Sequence, residues 1–326
     1  MLTTWINRDQ ILLADLEYEG VHAIQSKLCQ LGLLDPIIGG TENQPFGPIA
    51  KSDGAAGKET RAALKEFCRL TGNLHSYVDR SISRQQMITL DAALPGRFLS
   101  LNLNPQSNDL YQTRIAKAVI RYMYKKGYHV AQSPSARNII YVEGMNADGT
   151  LNEDTLNNWN DRRMVIGFRN YEPVMLVNDQ ATTEPGKYYT LHPEKLNQIG
   201  AARIAFGQYK AWVIGKHQGW QPALVQSGPV RIFRDVNKDG MRGFGGVSDP
   251  VFVRSNIGIN QHSTSPNKTP MFVNRYSAGC LVGRRYRWHL SFLKIITNDY
   301  RYLYHSGYTF MTTVIAGDDL LRHEKI

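Results

Sequence analysis

NIGINQHSTSPNKTPMFVNRYSAGCLVGRR, residues 256–285, is the stretch from which the rest of the chain is best read. A strand-like NIGINQ ends at His262, and Cys280 follows eighteen residues later, behind the small residues Ser277, Ala278 and Gly279. A thiol becomes a useful nucleophile when a nearby imidazole accepts its proton and backbone N–H groups hold the oxyanion formed on attack. Small flanking residues let a carbonyl substrate come close to the backbone. The spacing suits a strand end and a returning loop that meet at one site.

Around this stretch, everything after Ser133 consists of short apolar runs broken by Gly, Pro, Asn and Asp. These are NIIYVEG (138–144), RRMVIGF (162–168), EPVMLVN (172–178), KAWVIGK (210–216), PVRIF (229–233), PVFVRS (250–255) and TFMTTVIAG (309–317). Runs rich in Val, Ile, Tyr and Phe at this spacing predict a β-rich domain of mainly antiparallel strands with long loops. On the residues just quoted, the segment resembles the L,D-transpeptidase catalytic domain, whose motif is a His followed, after a loop, by Ser/Thr-x-Gly-Cys. The matching residues are His262, Ser263, Ser277, Gly279 and Cys280, and the likeness spans Tyr188 to Gly317. It implies a β-sandwich-like fold, Cys280 as nucleophile, His262 as base, and the Gly279 and Cys280 N–H groups as oxyanion hole. Ser277 would support the loop or the imidazole. The chain departs from the family at Ala278, where many members carry a second His, and at Val282, where an Arg is usual. Arg284 or Arg285 would then make the substrate carboxylate contact, and Ser263 and His217 would line the cleft.

Upstream the texture is helical. Val21, Ile24, Leu28 and Leu31 recur at helical spacing before Gly32, and Ala63, Leu64 and Phe67 share one face of the run Thr60 to Leu70. The connection from Asp35 to Gly57 is Gly/Pro-rich and reads as irregular. The segments GVHAIQSKLCQLGLL (20–34) and DGAAGKETRAALKEF (53–67) resemble the small three-helix peptidoglycan-binding domain of bacterial and phage wall enzymes, with GGTENQPFGPIAKS lengthening the usual loop. From Asp79 to Gln132 a further helical stretch carries the stripe Ile115, Val119, Tyr122 and Met123. The expected organisation is an α+β multidomain chain. Its parts are a peptidoglycan-binding-like helical domain (1–78), a helical bridge (79–132) and an L,D-transpeptidase-like domain (133–326).

Composition narrows the function classes. Of 326 residues, 42% are hydrophobic and 20% charged, which fits a folded chain rather than a disordered one. Lys and Arg exceed Asp and Glu by 38 − 28 = 10, so the surface should attract polyanions, a wall polymer among them. No nucleic-acid recognition motif accompanies that charge, and no nucleic-acid partner is expected. Cys29, Cys68 and Cys280 are too few and too far apart for a disulfide framework or a Cys-x-x-Cys zinc site. Cys29 and Cys68 read as small core residues within helices. Neither a membrane-spanning run nor an ordinary secretory signal is legible at MLTTWINRDQILLADLEYEG. DVNKDG (235–240) opens like a calcium loop but has Gly246 where the twelfth-position acid belongs, and it reads as a polar turn. The glycines of GMRGFGG fit no phosphate-cradling fingerprint. No cofactor and no metal are expected.

The function that follows is a cysteine enzyme acting on peptidoglycan stem peptides or crosslinks through a thioester. It would be made in the cytoplasm and act in the periplasm or wall, as a phage-type lysin or an injected effector with a delivery or immunity partner. Crosslink formation or exchange of D-amino acids, and an inactive wall-binding protein, are the competing expectations.

Overall fold

The computed structural model describes residues 1–5, 8–50, 53–240 and 249–326. It is of mixed α+β class, with eight α-helices among the described residues and an eight-stranded closed barrel. The sandwich-like arrangement expected from the motif is therefore replaced by a barrel, accompanied by a separate three-stranded sheet of Ala201–Ile204, Val230–Asp235 and Val251–Arg254.

The barrel runs Gln221–Gln226, Gln261–Ser263, Leu281–Gly283, Glu172–Thr182, Asp161–Arg169, Asn138–Glu143, Phe310–Ala316 and Gly207–His217, which closes on Gln221–Gln226. Two pairings are parallel: Gln261–Ser263 with Leu281–Gly283, and Phe310–Ala316 with Asn138–Glu143. The period-two alternation of a strand explains why these strands are apolar on both faces. Ile139, Tyr141, Val165 and Val314 point into one core with Leu224, Leu281, Trp212 and Phe292. Their neighbours Ile140, Val142, Met164, Ile166 and Ile315 point the other way. There they meet the stripe Ile115, Val119, Tyr122 and Met123 of the helix Tyr111–Lys125.

A third core lies at the N-terminus. The helices Tyr18–Gln30 and Lys58–Leu70 bring Val21, Ile24, Leu28, Leu64 and Phe67 together with Ile82, Met87, Leu90 and Leu99. Residues 81–99 thus pack with the N-terminal helices, whereas the helix Tyr111–Lys125 packs on the barrel. The Gly/Pro-rich connection is not irregular throughout, because Ile37–Gly39 and Gly47–Ala50 form a hairpin. Local propensity alone would not make these strands. Phe46 is buried in the barrel core, and its carbonyl accepts from Gln208 N at 2.8 Å, so tertiary contact holds the hairpin.

The N-terminal unit is joined to the barrel by buried charge. Asp35 accepts from Arg301 Nη1 and from Tyr308 Oη, both at 2.6 Å, and lies 3.3 Å from Lys210 Nζ. Lys210 also pairs with Glu59, and Arg301 with Asp299. Burial works against the Asp35 carboxylate, yet Arg301 and Lys210 hold it well below the usual range. Charges taken out of water in this way stabilise only as matched sets. No helix among the described residues is long and apolar enough to cross a membrane.

Asp35→Ala is expected to destabilise the protein by about 3 kcal/mol, the usual cost of leaving a buried ion-pair partner unmatched. Urea unfolding followed by circular dichroism measures it. An unchanged midpoint would mean that the seam contributes nothing.

Candidate functional site

The parallel pairing of Gln261–Ser263 with Leu281–Gly283 sets His262 opposite Val282. Side chains two residues apart on a strand share a face, so Cys280, two before Val282, lies on the face that carries His262. The His262 and Cys280 donor atoms lie within 4.8 Å of each other, and His217 joins them. The nucleophile and base read from the sequence are thus brought together.

The loop before Cys280 is braced from within. Ser277 Oγ accepts from Gly279 N at 3.1 Å and donates to Cys280 O at 2.8 Å. Gly279 has φ +119°, and a Cβ there would stand 2.6 Å from Ala202 O, so only glycine fits. Gly186 N donates to Ser277 O, and a Cβ on Gly186 would run into Asn274, which presses the loop against the end of the strand Glu172–Thr182. Trp159, Val273 and Val282 pack against Cys280.

At rest the thiol donates to Gly258 O at 3.2 Å. His262 Nδ1 lies 2.9 Å from Ser263 O, which can only accept; Nδ1 therefore carries the proton and Nε2 presents its lone pair. Burial pushes the Cys280 thiol up to about 11, against a smaller opposing pull from the Asn260 N–H. Burial, with His217 and Arg163 nearby, pushes His262 down to about 3, against the Ser263 carbonyl. Both groups are neutral at pH 7. The pair can pass a proton when a carbonyl arrives, but it holds no standing thiolate.

His217 stacks on His262 with ring centroids 3.9 Å apart and planes 6° from parallel. Two imidazoles and a thiol are donor types that zinc accepts. Lone pairs in nearly parallel ring planes do not converge on one point as tetrahedral coordination requires, so as arranged this trio is not a metal site. A second cluster, of the carboxylates Glu143, Asp154 and Glu184, surrounds the Arg203 guanidinium, which is 2.8 Å from Glu143 and also paired with Glu184. The polar turn at 235–240 forms as read: Asp235 accepts from the N–H groups of Asp239 and Gly240. Gly246, and GMRGFGG beyond Gly240, lie outside the described residues.

The remaining site residues are placed differently from the first cluster. Ser263 is buried, its carbonyl taking His262 Nδ1 and its Oγ contacting Gln221 Nε2 at 3.1 Å. Arg284 donates to Pro270 O at 3.0 Å and to Gln180 Oε1 at 2.9 Å, so it ties the loop ahead of Cys280 to a barrel strand. Arg285 is exposed and lies over the Trp288 ring. Sequence reasoning missed Gly258 and Asn260. A glycine interrupting the run NIGINQ is the signal that was present, since an isolated glycine in a strand pattern marks close backbone approach.

No protein-family model matches the chain, and no curated protein matches it. Among solved structures it is similar to a fused Zn-dependent amidase/peptidase/peptidoglycan-binding domain-containing protein from Clostridium acetobutylicum. The identity is 14% and the TM-score 0.28, with 91% of this chain and 95% of that one covered. A likeness of that size carries no argument about fold or chemistry.

Two outcomes follow from the burial of the pair. Alkylation of Cys280 by iodoacetamide should be slow at pH 7 and rise steeply towards about pH 11, as read by peptide mass mapping; fast labelling at neutral pH would contradict a buried neutral thiol. The unfolded chain protonates His262 near the ordinary 6.5, the folded chain only near about 3. The unfolded state therefore binds more protons across that window, and His262 draws stability down as pH falls through it. His262→Gln should flatten that slope in urea titrations.

Proposed function

We propose that the chain is a cysteine enzyme that acts on peptidoglycan stem peptides or their crosslinks. The observation carrying this reading is the shared-face placement of Cys280 and His262, with the imidazole in the Nδ1–H tautomer whose Nε2 can accept a proton. In the proposed step the thiol turns from Gly258 O, gives its proton to His262 Nε2, and Sγ bonds to the substrate carbonyl carbon. The Cys280 N–H has no partner among the described residues and is the donor the loop leaves for the oxyanion, because Gly279 N–H is already bonded to Ser277 Oγ. Collapse expels the amine, which takes the proton from His262, and leaves a thioester. Water or a second amine then attacks the thioester, regenerating the thiol.

The substrate class rests on the His…Ser-x-Gly-Cys motif and on the N-terminal segments that resemble a peptidoglycan-binding domain. The net charge of +10 favours a negatively charged wall. Unlike a module on a flexible tether, that N-terminal unit is fixed to the barrel by the Asp35–Arg301 and Lys210–Glu59 contacts, so it would present a bound strand at a constant angle to Cys280. Hydrolysis is the favoured outcome, making the activity L,D-carboxypeptidase or endopeptidase; transfer to an amine would make it a transpeptidase. Delivery as a lysin or an injected effector is part of the same proposal.

Purified peptidoglycan digested with the protein should release new muropeptide masses, absent with Cys280→Ala and reduced about 100-fold or more with His262→Ala, the usual scale for loss of a general base. Adding a D-amino acid separates hydrolysis from exchange by the mass of the product. Chelators should leave the rate unchanged. Identical muropeptide profiles with wild type and Cys280→Ala would reject the proposal.

A further inference from the structure

Asn260 is 8% exposed and every polar group it has is engaged. Its N–H donates to Gly258 O at 2.8 Å, the same carbonyl that receives the Cys280 thiol. Its carbonyl accepts from Leu281 N at 2.9 Å, the residue next to Cys280. Its side-chain Oδ1 accepts from Gln226 N at 2.9 Å. Because a backbone N–H can only donate, this bond fixes which end of the amide is oxygen, and Nδ2 must face His217 Nδ1, 3.0 Å away. An amide N–H pointing at Nδ1 requires a bare nitrogen there. The proton of neutral His217 is consequently on Nε2, and the ring stacks on His262 in one tautomer and one orientation.

We propose that Asn260 and His217 act together as positioning residues for the base: the amide locks His217 as the Nε2–H tautomer, and the locked ring fixes the plane of His262 and shields it from solvent. This inference rests on His262 being the base, but its consequences are physical properties of the imidazoles that exist without substrate. The charged and titratable groups around His262 come from several elements: His217 from the strand Gly207–His217, Cys280 from the loop, Arg163 from the strand Asp161–Arg169, and His289 from the helix Tyr286–Ile296. His289 Nδ1 lies 2.9 Å from Arg163 Nη1 and its Nε2 lies 2.9 Å from Pro222 O. Among the described residues, His217 is the ring that lies face to face with His262. Burial lowers His217 itself below its ordinary value, consistent with a ring kept neutral.

The chemistry makes the choice of residue at 260 specific. Aspartate has the same shape but cannot donate, so in Asn260→Asp the carboxylate would accept a hydrogen bond from a proton drawn onto His217 Nδ1, reversing the tautomer and favouring the imidazolium. In His217→Ala the face of His262 opens to water, its desolvation falls, and protonation becomes easier.

The test uses the full chain labelled with ¹⁵N-histidine, read by long-range ¹H–¹⁵N correlation spectra through a pH titration, with circular dichroism as the check on folding. The wild type should show His217 protonated on Nε2. In Asn260→Asp that proton should appear on Nδ1 and the His217 midpoint should rise by about one pH unit or more. In His217→Ala the His262 midpoint should rise by a similar amount, while His217→Phe, which restores an aromatic face, should bring it back towards wild type. If Asn260→Asp fails to fold, the His217 pair decides alone, because that ring is only half-buried at the end of its strand. A His262 midpoint unchanged in His217→Ala, or a wild-type His217 protonated on Nδ1, would overturn the inference. Failure of the wall-enzyme reading looks different: muropeptide release would be absent while the tautomer and midpoint shifts persist.

Discussion

The parallel register between Gln261–Ser263 and Leu281–Gly283 is the constraint on which the candidate chemistry depends. Parallel neighbours need a long connection, and the connection here is the loop that ends in Ser277-Ala278-Gly279-Cys280. The same seventeen intervening residues therefore satisfy the topology and deliver the thiol. A slip of one residue in this register would turn His262 to the opposite face, away from Cys280. What prevents the slip is the burial of Leu281 in the barrel core on one side and of Val282 with Trp159 on the other. Packing thus fixes the placement of the thiol beside the imidazole through a single strand pair.

The electrostatics follow from where that pair lies. With both groups buried, neither charged form is favoured, and the thiol rests on a backbone carbonyl instead of forming an ion pair with the imidazole. Such a site is quiet towards small oxidants and alkylating agents, because the thiolate is the reactive form. On the proposed function, a substrate would bring the carbonyl that makes proton transfer favourable. Asn260 links the Gly258 carbonyl, the Cys280 segment and His217 in one bonded set, so the resting geometry is shared among the barrel strands that flank the pair.

The β-rich character of the chain after Ser133 and both members of the thiol–imidazole pair were legible, because alternating apolar runs and a His–Cys spacing are local patterns. Closure into a barrel was not. It depends on which strand meets which, and the IIYV of NIIYVEG (139–142) is apolar on both faces because the helix Tyr111–Lys125 covers its outer face. The hairpin at Ile37–Gly39 and Gly47–Ala50 was hidden for the same reason, since Phe46 earns its place through a barrel core far along the chain. Arg284 read as a substrate contact because an Arg near the cysteine is what the motif offers. Its bonds to Pro270 and Gln180 are long-range facts that no spacing encodes. Asn260 was invisible as a hub because its role lies in partners thirty-four and forty-three residues away, Gln226 and His217.

Intact-protein mass spectrometry of the protein quenched in acid during incubation with a stem peptide, followed by peptide mapping, tests most directly whether Cys280 is acylated. A transient adduct of the mass of the acyl fragment is expected, located on Cys280, released by hydroxylamine and accumulating in His262→Ala only at a much reduced rate. An adduct on another residue, or product formed with Cys280 never modified, would contradict it.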